Sequence, residues 1–422
     1  MAQNPAAKFA EMRGKTPEEA KFYWTGGPLE VAPRTYFASQ FSGCTAFETD
    51  EGLLLVDTGT KQFAPTIAKM LRQKTNAPVH TAIYTHGHVD HAYGLEAFLV
   101  PGQKRPRVIG HAAMPARFAR YAATAKHNAA LNARQFGGTV EAQSGEAYAS
   151  FAAPPIPPDT LYENELSIEV GGERFEIYHC RGETDDHSWV FSPVRRVLCP
   201  GDLFIWAVPN DGNPQKVQRY PFDRAKGLRA MAEKKPQALC PGHGGPVVGD
   251  SDKIVRMLSE TAAFLEALVA RTVAAMENGS PPHVDIVTGI ELPQSASPWL
   301  QPIYDDTEFL VRNVIRYYGG WWSGRPSELK PAPRAQLAGE IAHLCGGAKA
   351  LAARAMELAA KGELRLAGHL ADFALEAAPA DADVQTKVAA VYEQRATSET
   401  SLMTVNIFNS AAAYARAGRP FK

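Results

Sequence analysis

The chain is poor in several features that mark particular classes of protein. Its 422 residues include only five cysteines, an odd number, and no Cys-x-x-Cys pair. This composition argues against a disulfide framework or a structural zinc knuckle and predicts reduced thiols. The chain also has no run of about 18 apolar residues, and its first residues contain no apolar segment of signal-peptide length. We therefore expect a cytoplasmic protein that has no membrane partner.

The chain also has no excess of charge of either sign. Lys and Arg total 44 against 45 Asp and Glu, so the formal net charge is −1. A broad basic field, which would favour binding to nucleic acid or to an anionic membrane, is therefore not expected. A preference for a small anion would have to arise from a few local residues.

The length exceeds that of one ordinary domain and predicts two or three. Short β-type runs alternate with turns and helical stretches up to about residue 250, and the pattern beyond it is helical. A strong hairpin signal lies at Gly171-Gly172, between two alternating runs. We predict an α/β domain over residues 1–250, a connecting helix and linker over 251–300, and an all-helical domain over 301–422.

Several helices can be placed from the apolar periodicity. One is predicted over Ser251 to Met276, and Ala-rich stretches predict others near 334–361, 363–377 and 381–396. A further Ala- and Arg-rich segment, Ala112 to Gly138, is also predicted to be helical.

The most informative motif is Thr85-His86-Gly87-His88-Val89-Asp90-His91, which follows the strand-like Ala82-Ile83-Tyr84. Side chains at i and i+2 of an extended segment point the same way. His86 and His88 are therefore expected to share one ion, while Asp90 and His91 turn toward a neighbouring site. Four ligand-type residues at this spacing predict a metal centre.

This string and the upstream hairpin Gly52 to Gly59 resemble the metallo-β-lactamase superfamily of binuclear metal hydrolases. The resemblance implies an αββα sandwich and further ligands downstream. Within Cys199-Pro200-Gly201-Asp202 it implies Asp202 as a bridging carboxylate. Within Cys240-Pro241-Gly242-His243 it implies His243 as the last ligand.

One position departs from the common pattern of that family. Counting back from Asp202 to the place of a usual histidine ligand leads to Glu183. A glutamate there resembles the alkyl-sulfatase branch, the type III sulfatases. His187, four residues further on, is the alternative metal ligand, because a shift of one residue in a strand turns a side chain to the other face.

The second half of the chain carries a similar signal. The stretch from Val311 to Gly347, with its aromatic-Gly-Trp-Trp sequence ending at Trp322, resembles the start of the helical dimerisation domain of alkyl sulfatases. This resemblance implies a homodimer formed through the C-terminal helical half.

The resemblance implies two zinc ions per chain and a hydroxide that bridges them. One ion would be held by His86, His88 and Glu183. The other would be held by Asp90, His91 and His243, and Asp202 would contact both ions. Asp90 and Asp202 are the candidate catalytic carboxylates. The expected reaction is hydrolysis of sulfate monoesters, with an anionic small-molecule ester as the substrate.

Three ligand carboxylates and a hydroxide would cancel the charge of two dications, so a sulfate group needs cations nearby. The segment after Asp202 supplies Arg219 and Lys216, and Arg219 is favoured because a guanidinium can bind two oxygens at once. Tyr220 and Asn213 of the same segment are further candidates for substrate binding.

Two other functions fit the same motifs. The Cys-Pro-Gly-His-Gly sequence around His243 is the usual superfamily form and favours a hydrolase of carboxylic esters, lactones or β-lactams. Related folds also hold iron for redox chemistry, although His88 argues against the diiron reductases, which have a glutamate at that place.

Overall fold

The computed structural model describes residues 21–22, 24–136, 151–152, 155–279 and 284–421. Within these ranges, none of the helices is both long enough and apolar enough to span a membrane. The predictions that concern the first residues of the chain and residues 137 and 138 lie outside the described ranges.

The described residues pack as two compact units. The first contains those up to residue 125, those between 151 and 279, and those from 285 to 319. The second contains residues 126–136, residue 284 and those from 320 to 421. Each unit has its own apolar core.

Two β-sheets form the centre of the first unit. The strands of one sheet, in spatial order, are β1 (Gly26–Ala32), β2 (Thr35–Ser39), β3 (Gly43–Thr49), β4 (Gly52–Val56), β5 (Val79–Ile83), β6 (Arg107–His111) and β7 (Thr160–Tyr162). Those of the other are β13 (Val247–Val248), β12 (Ala238–Pro241), β11 (Val197–Gly201), β10 (Ser188–Ser192), β9 (Glu173–His179) and β8 (Glu165–Val170). Strands β4 to β7 pair in parallel, and so do β11 and β12.

The sheets pack face to face, and helices cover their outer faces. Buried side chains from both sheets, such as Phe47 and Phe175, form the apolar layer between them. The helices of this unit are α1 (Ala64–Leu71), α2 (Val89–Ala92), α3 (Met114–Ala123), α5 (Pro221–Glu233), α6 (Ser251–Glu277), α7 (Val284–Gly289) and α8 (Thr307–Gly319). The predicted αββα sandwich is confirmed.

The predicted hairpin joins β8 and β9. Val170 pairs with Glu173, so Gly171 and Gly172 alone form the turn. Both have positive φ, +58° and +75°, as a tight two-residue turn requires. The hairpin leads the chain directly to Glu183.

The predicted long helix is α6, and its boundary has a clear physical cause. The Asp250 side chain accepts a hydrogen bond from the Lys253 backbone N–H at 2.9 Å and so caps the first turn. Its buried face includes Ile254, Met257, Leu258 and Leu265, which follow the helical period.

The second unit is helical. Its described helices are α9 (Pro326–Leu329), α10 (Arg334–Leu344), α11 (Ala348–Ala360), α12 (Leu364–Ala377), α13 (Ala382–Ser398) and α14 (Leu402–Arg416), together with most of α4 (Ala125–Gln135). The predictions of continuous helix over 334–361 and over Ala112 to Gly138 were wrong, because each stretch is interrupted. Gly346 and Gly347 both adopt positive φ and separate α10 from α11, and Thr124 separates α3 from α4.

Candidate metal centre

The predicted ligands lie just beyond the ends of strands. His86 follows β5, Asp202 follows β11 and His243 follows β12. Because β11 and β12 are parallel, with Gly201 opposite Pro241, their carboxyl ends lie side by side at one edge of the sheet. The sheet therefore holds the positions of these side chains.

Close backbone packing brings the last two of these residues together. The Gly242 N–H donates to the Gly201 carbonyl at 3.0 Å, and the Gly43 N–H donates to the Gly242 carbonyl at 2.7 Å. A Cβ atom on Gly242 would lie 2.0 Å from Asp202 Oδ1, so only glycine fits this turn. His243 is thereby held next to Asp202.

Six of the predicted ligands form two adjoining groups in which ligand atoms lie within 4.8 Å of one another. One group is His86, His88 and Asp202, and the other is Asp90, His91 and His243.

Asp202 connects the two groups. Its carboxylate oxygens lie 4.0 Å from His86 Nε2, 3.3 Å from His91 Nε2 and 3.2 Å from His243 Nε2. Asp202 therefore lies close to histidines of both groups, and its role as a bridging carboxylate stays a prediction.

Glu183 lies at the edge of the first group. Its Oε1 is 3.6 Å from His88 Nδ1, and the side chain is 3% exposed. The same oxygen accepts a hydrogen bond from Asn210 Nδ2 at 2.6 Å and lies 2.7 Å from Arg219 Nη1. Glu183 is thus close to the histidines and is also held by two polar neighbours.

His187 has a different environment. Its ring stacks on His86, with ring centres 4.4 Å apart, and its Nε2 accepts the Asp202 backbone N–H at 3.1 Å. This contact uses the nitrogen that faces Asp202 and positions that residue. The geometry therefore favours Glu183 as the ligand, and the choice between the two stays a prediction.

The donor set suits a divalent transition metal. Among the described residues, three buried atoms of the centre make no hydrogen bond of good geometry, namely His91 Nε2, Asp202 Oδ1 and Glu183 Oε2. Buried polar atoms of this kind are costly unless a ligand satisfies them. Imidazole nitrogens together with carboxylate oxygens are the ligands that zinc binds in hydrolases.

The predicted substrate-binding residues lie in different surroundings. Arg219 is buried and pairs with Glu183, while Lys216 is only partly buried. Asn213 Oδ1 accepts the Gln215 N–H at 3.1 Å within its own turn. The Tyr220 ring packs under the Arg181 guanidinium, 4.6 Å from the ring centre. Lys216 is therefore the candidate that we expect to meet an anion directly.

Two family descriptions match the chain in succession. Residues 41–243 match the metallo-beta-lactamase superfamily. Residues 283–418 match the family described as alkyl sulfatase dimerisation. The chain therefore contains a metallo-beta-lactamase domain followed by an alkyl sulfatase dimerisation domain.

Curated relatives of this chain include two alkylsulfatases. A linear primary-alkylsulfatase of Pseudomonas sp. is 24% identical over 357 residues, which cover 78% of this chain and 65% of that protein. An (R)-specific secondary-alkylsulfatase of Pseudomonas sp. is 24% identical over 423 aligned positions, which cover 93% of this chain and 63% of that protein. The chain thus spans less than two thirds of the length of either relative.

Solved structures of low sequence identity share the superfamily fold. The stereoselective inverting sec-alkylsulfatase Pisa1 from Pseudomonas sp. aligns with a TM-score of 0.80 at 23% identity, over 94% of this chain and 66% of that one. A double mutant of the same sulfatase aligns with a TM-score of 0.83 at 22% identity, over 98% and 71% of the two chains.

The electrostatic environment differs between the two ligand groups of the candidate metal centre. Burial lowers the pKa of both His86 and His88 well below the ordinary value, and Arg117 and Arg219 lower that of His88 further. Burial also opposes protonation of His243, but Asp202 and Asp90 outweigh it and raise its pKa. The side of the centre that contains His243 is therefore the more electronegative.

Asp57 contacts the candidate metal centre through His91 and Thr85. Its Oδ2 lies 2.8 Å from His91 Nδ1 and accepts from the Thr85 hydroxyl at 2.8 Å, and its Oδ1 accepts the Thr85 N–H at 2.7 Å. Its backbone has a φ of +58°, which Asn also tolerates. These contacts hold His91 with Nε2 directed at the other ligands.

We expect Asp57→Asn to weaken metal binding about 10- to 100-fold, because the amide replaces the carboxylate that orients His91. A competition titration with a coloured chelator measures the change. Asp50→Asn, at a side chain that is 81% exposed, is the control and should leave affinity unchanged. Equal affinity of the Asp57 variant and the wild type would refute the orienting role.

Sequence reasoning missed several residues that surround the ligands. Asn210 contacts Glu183, and Arg224 Nη2 lies 3.9 Å from Glu183 Oε2. Arg117 donates to Asp186, whose other oxygen accepts the Gly87 N–H at 3.0 Å between the two histidines. Only the polar run after Asp202 gave a signal for Asn210, and nothing in the local pattern marks either arginine.

Proposed function

We propose that this chain is a binuclear zinc hydrolase that cleaves sulfate monoesters. The observation that carries the proposal is the convergence of Asp202 with the histidines of the two groups, with Glu183 beside them in place of a histidine. The similarity to proteins named alkylsulfatases supports the choice of a sulfate ester.

The proposed ligand sets follow the two groups. His86, His88 and Glu183 would hold one zinc ion, and Asp90, His91 and His243 would hold the other. Asp202 would contact both, as its distances to the histidines of each group suggest. Zinc, when bound at such a pair of sites, acidifies water toward a pKa of about 7 and stabilises charge on the ester oxygens.

Asp90 and Asp202 are the proposed catalytic carboxylates. Asp202 is the more buried of the two, with a side chain that is 5% exposed, and we propose that it fixes the two histidine groups relative to each other. Asp90 is the more open, at 15% exposed, and its Oδ2 lies 3.4 Å from His243 Nε2. We propose that Asp90, besides holding a metal ion, would orient the attacking water by accepting a hydrogen bond from it.

Lys216 is the proposed contact for the sulfate group. Burial and, to a smaller extent, the Arg219 guanidinium lower its pKa to about 8, against the opposing effect of Glu183 and Asp90. The ammonium form therefore still predominates at pH 7, beside the proposed metal ligands. Arg219, Tyr220 and Asn213 would shape the same segment, although Arg219 is engaged with Glu183.

The test is sulfate release by zinc-loaded protein from a panel of short and long alkyl sulfates and aryl sulfates. We expect turnover that is lost on chelation and regained with zinc, and a raised KM in Lys216→Met. Zinc-containing protein that releases no sulfate from any member of the panel would contradict the proposal.

A second candidate is hydrolysis of carboxylic esters, lactones or β-lactams within the same centre. The Cys240-Pro241-Gly242-His243-Gly244 loop, which has the usual superfamily sequence, favours it. Turnover of a lactone or β-lactam panel by protein that is inactive on sulfates would establish this alternative.

We also propose that the chain forms a homodimer through its helical second unit. The dimerisation family match supports this, and large apolar side chains are exposed there, including Trp321 at 70% and Leu344 at 78%. Light scattering should give twice the monomer mass, and Leu344→Glu should reduce it. A wild-type monomer would exclude the proposal.

The proposed location is the cytoplasm. All five cysteines are free in the structure, in keeping with a reducing compartment. Cell fractionation tests this, and recovery in a periplasmic or membrane fraction would contradict it.

A further inference from the structure

We infer that the two metal positions are unequal and fill in a fixed order. The position made by Asp90, His91 and His243 binds a divalent ion tightly, and Arg219 weakens the position that contains Glu183. This inference rests on the proposed binuclear centre and adds an affinity order to it.

The first position is organised before any ion binds. His91 Nδ1 lies 2.8 Å from Asp57 Oδ2, and His243 Nδ1 lies 2.8 Å from the Phe41 carbonyl oxygen. Both contacts fix the tautomer and direct Nε2 of each ring toward Asp90 Oδ2, at 3.6 Å and 3.4 Å. An ion therefore meets ligands that need little reorganisation.

The carboxylates of this position face imidazoles. Asp90 Oδ2 and Asp202 Oδ2 lie 3.4 Å and 3.2 Å from the same nitrogen, His243 Nε2. Two negative charges so close together favour a dication strongly in a buried setting. Asp202 is shared with the second position, so the negative charge particular to the first position is that of Asp90.

In the second position, two arginines already compensate the negative charge of the Glu183 carboxylate. Glu183 Oε1 lies 2.7 Å from Arg219 Nη1, and Glu183 Oε2 lies 3.9 Å from Arg224 Nη2. The side chains of both arginines are buried, at 3% and 0% exposed, so solvent and salt screen their charges poorly. An ion bound by His86, His88 and Glu183 must share the carboxylate with a guanidinium and is repelled by it.

Asn210 helps to position the Glu183 carboxylate, whereas Arg219 compensates its charge. The Asn210 Nδ2 donates to Glu183 Oε1 at 2.6 Å, and the Asn210 backbone carbonyl accepts from Arg219 Nη1, a bond that the amide of a glutamine at position 219 can also donate. Replacing Arg219 with glutamine therefore removes the repulsion and leaves Glu183 held in place. Affinity at the second position is expected to rise.

The experiment is a calorimetric titration of metal-free, full-length protein with Zn²⁺ in the presence of a competing chelator. We expect two binding events that differ by about tenfold or more in affinity. His88→Ala should retain only the tight event, and His243→Ala only the weak one. Arg219→Gln should tighten the weak event by about tenfold or more and leave the tight one unchanged.

Arg181→Gln is the matched control, because Arg181 is two residues from Glu183 yet pairs with Asp223 at 2.7 Å and is 42% exposed. It should change neither event. Two events of equal affinity, a tight event retained by His243→Ala, or a weak event that Arg219→Gln leaves unchanged or weakens would each overturn the inference. The pair of histidine variants decides the question even where Arg219→Gln does not fold.

Failure of the proposed function would have a different signature. A chain that binds no zinc, or one that binds two ions and hydrolyses no ester, refutes the binuclear hydrolase. Two ions of equal affinity with sulfatase activity refute only the order of filling.

Discussion

Replacing Asp202 with asparagine is expected to reduce turnover at least about a thousandfold and to lower the metal content of the protein. The carboxylate lies within 4.0 Å of nitrogens on three histidines, His86, His91 and His243. Asparagine keeps the shape but removes the charge and directs N–H donors toward these nitrogens. Metal content per chain by elemental analysis, together with kcat after zinc loading, measures the effect.

Asp252→Asn is the matched control for this variant. Asp252 is exposed in the first turn of α6, and the same chemical change there should alter neither metal content nor kcat. Circular dichroism should show that both variants keep the wild-type secondary structure. An Asp202→Asn protein that holds two ions and turns over at the wild-type rate would contradict the proposed centre.

Arg224→Met is expected to lower the free energy of unfolding by about 3–5 kcal/mol. Arg224 is fully buried, with Nε 3.3 Å from Asp211 Oδ2 and Nη2 3.9 Å from Glu183 Oε2. Burial raises the pKa of Asp211, and Arg224 acts against that rise. Methionine would fill the volume but leave two buried carboxylates without this cation. Urea unfolding of metal-free protein measures the loss.

Arg229→Met on the same helix, α5, is the control. Arg229 pairs with Glu266 at 2.7 Å, but both side chains are about 40% exposed, at 43% and 40%. A solvent-exposed pair of this kind contributes at most about 1 kcal/mol, so the loss should be small. If the free energy of unfolding fell equally in the two variants, burial of the Arg224 ion pair would not increase its contribution to stability.

Most of the fold could be predicted from local sequence patterns. The Gly171-Gly172 turn and the apolar period of α6 are short-range signals that tertiary packing did not override. The errors concerned breaks within Ala-rich stretches, at Thr124 and at Gly346-Gly347. Alanine favours helix on both sides of such a break, so periodicity alone does not mark it.

The candidate centre was predictable to the extent that its residues follow strands. The spacing of His86, His88, Asp90 and His91 predicted a metal centre, and the resemblance to the metallo-β-lactamase superfamily implied that Asp202 and His243 belong to it. The partner of Arg219 was not predictable, because the ion pair with Glu183 joins segments whose approach depends on the packing of α5 against the sheet. The local sequence around a basic residue does not show which carboxylate it will pair with in the fold.

The segment between Asp202 and α5 contains Lys216, which is partly buried, and it brings Asn210 and Arg219 into contact with Glu183. One stretch of chain thus supplies the candidate anion-binding lysine and two neighbours of a proposed metal ligand. Under the proposed function, we expect that laboratory evolution of this segment for a new ester also changes the zinc requirement. Variants selected at saturating zinc would then include some that fail when zinc is scarce.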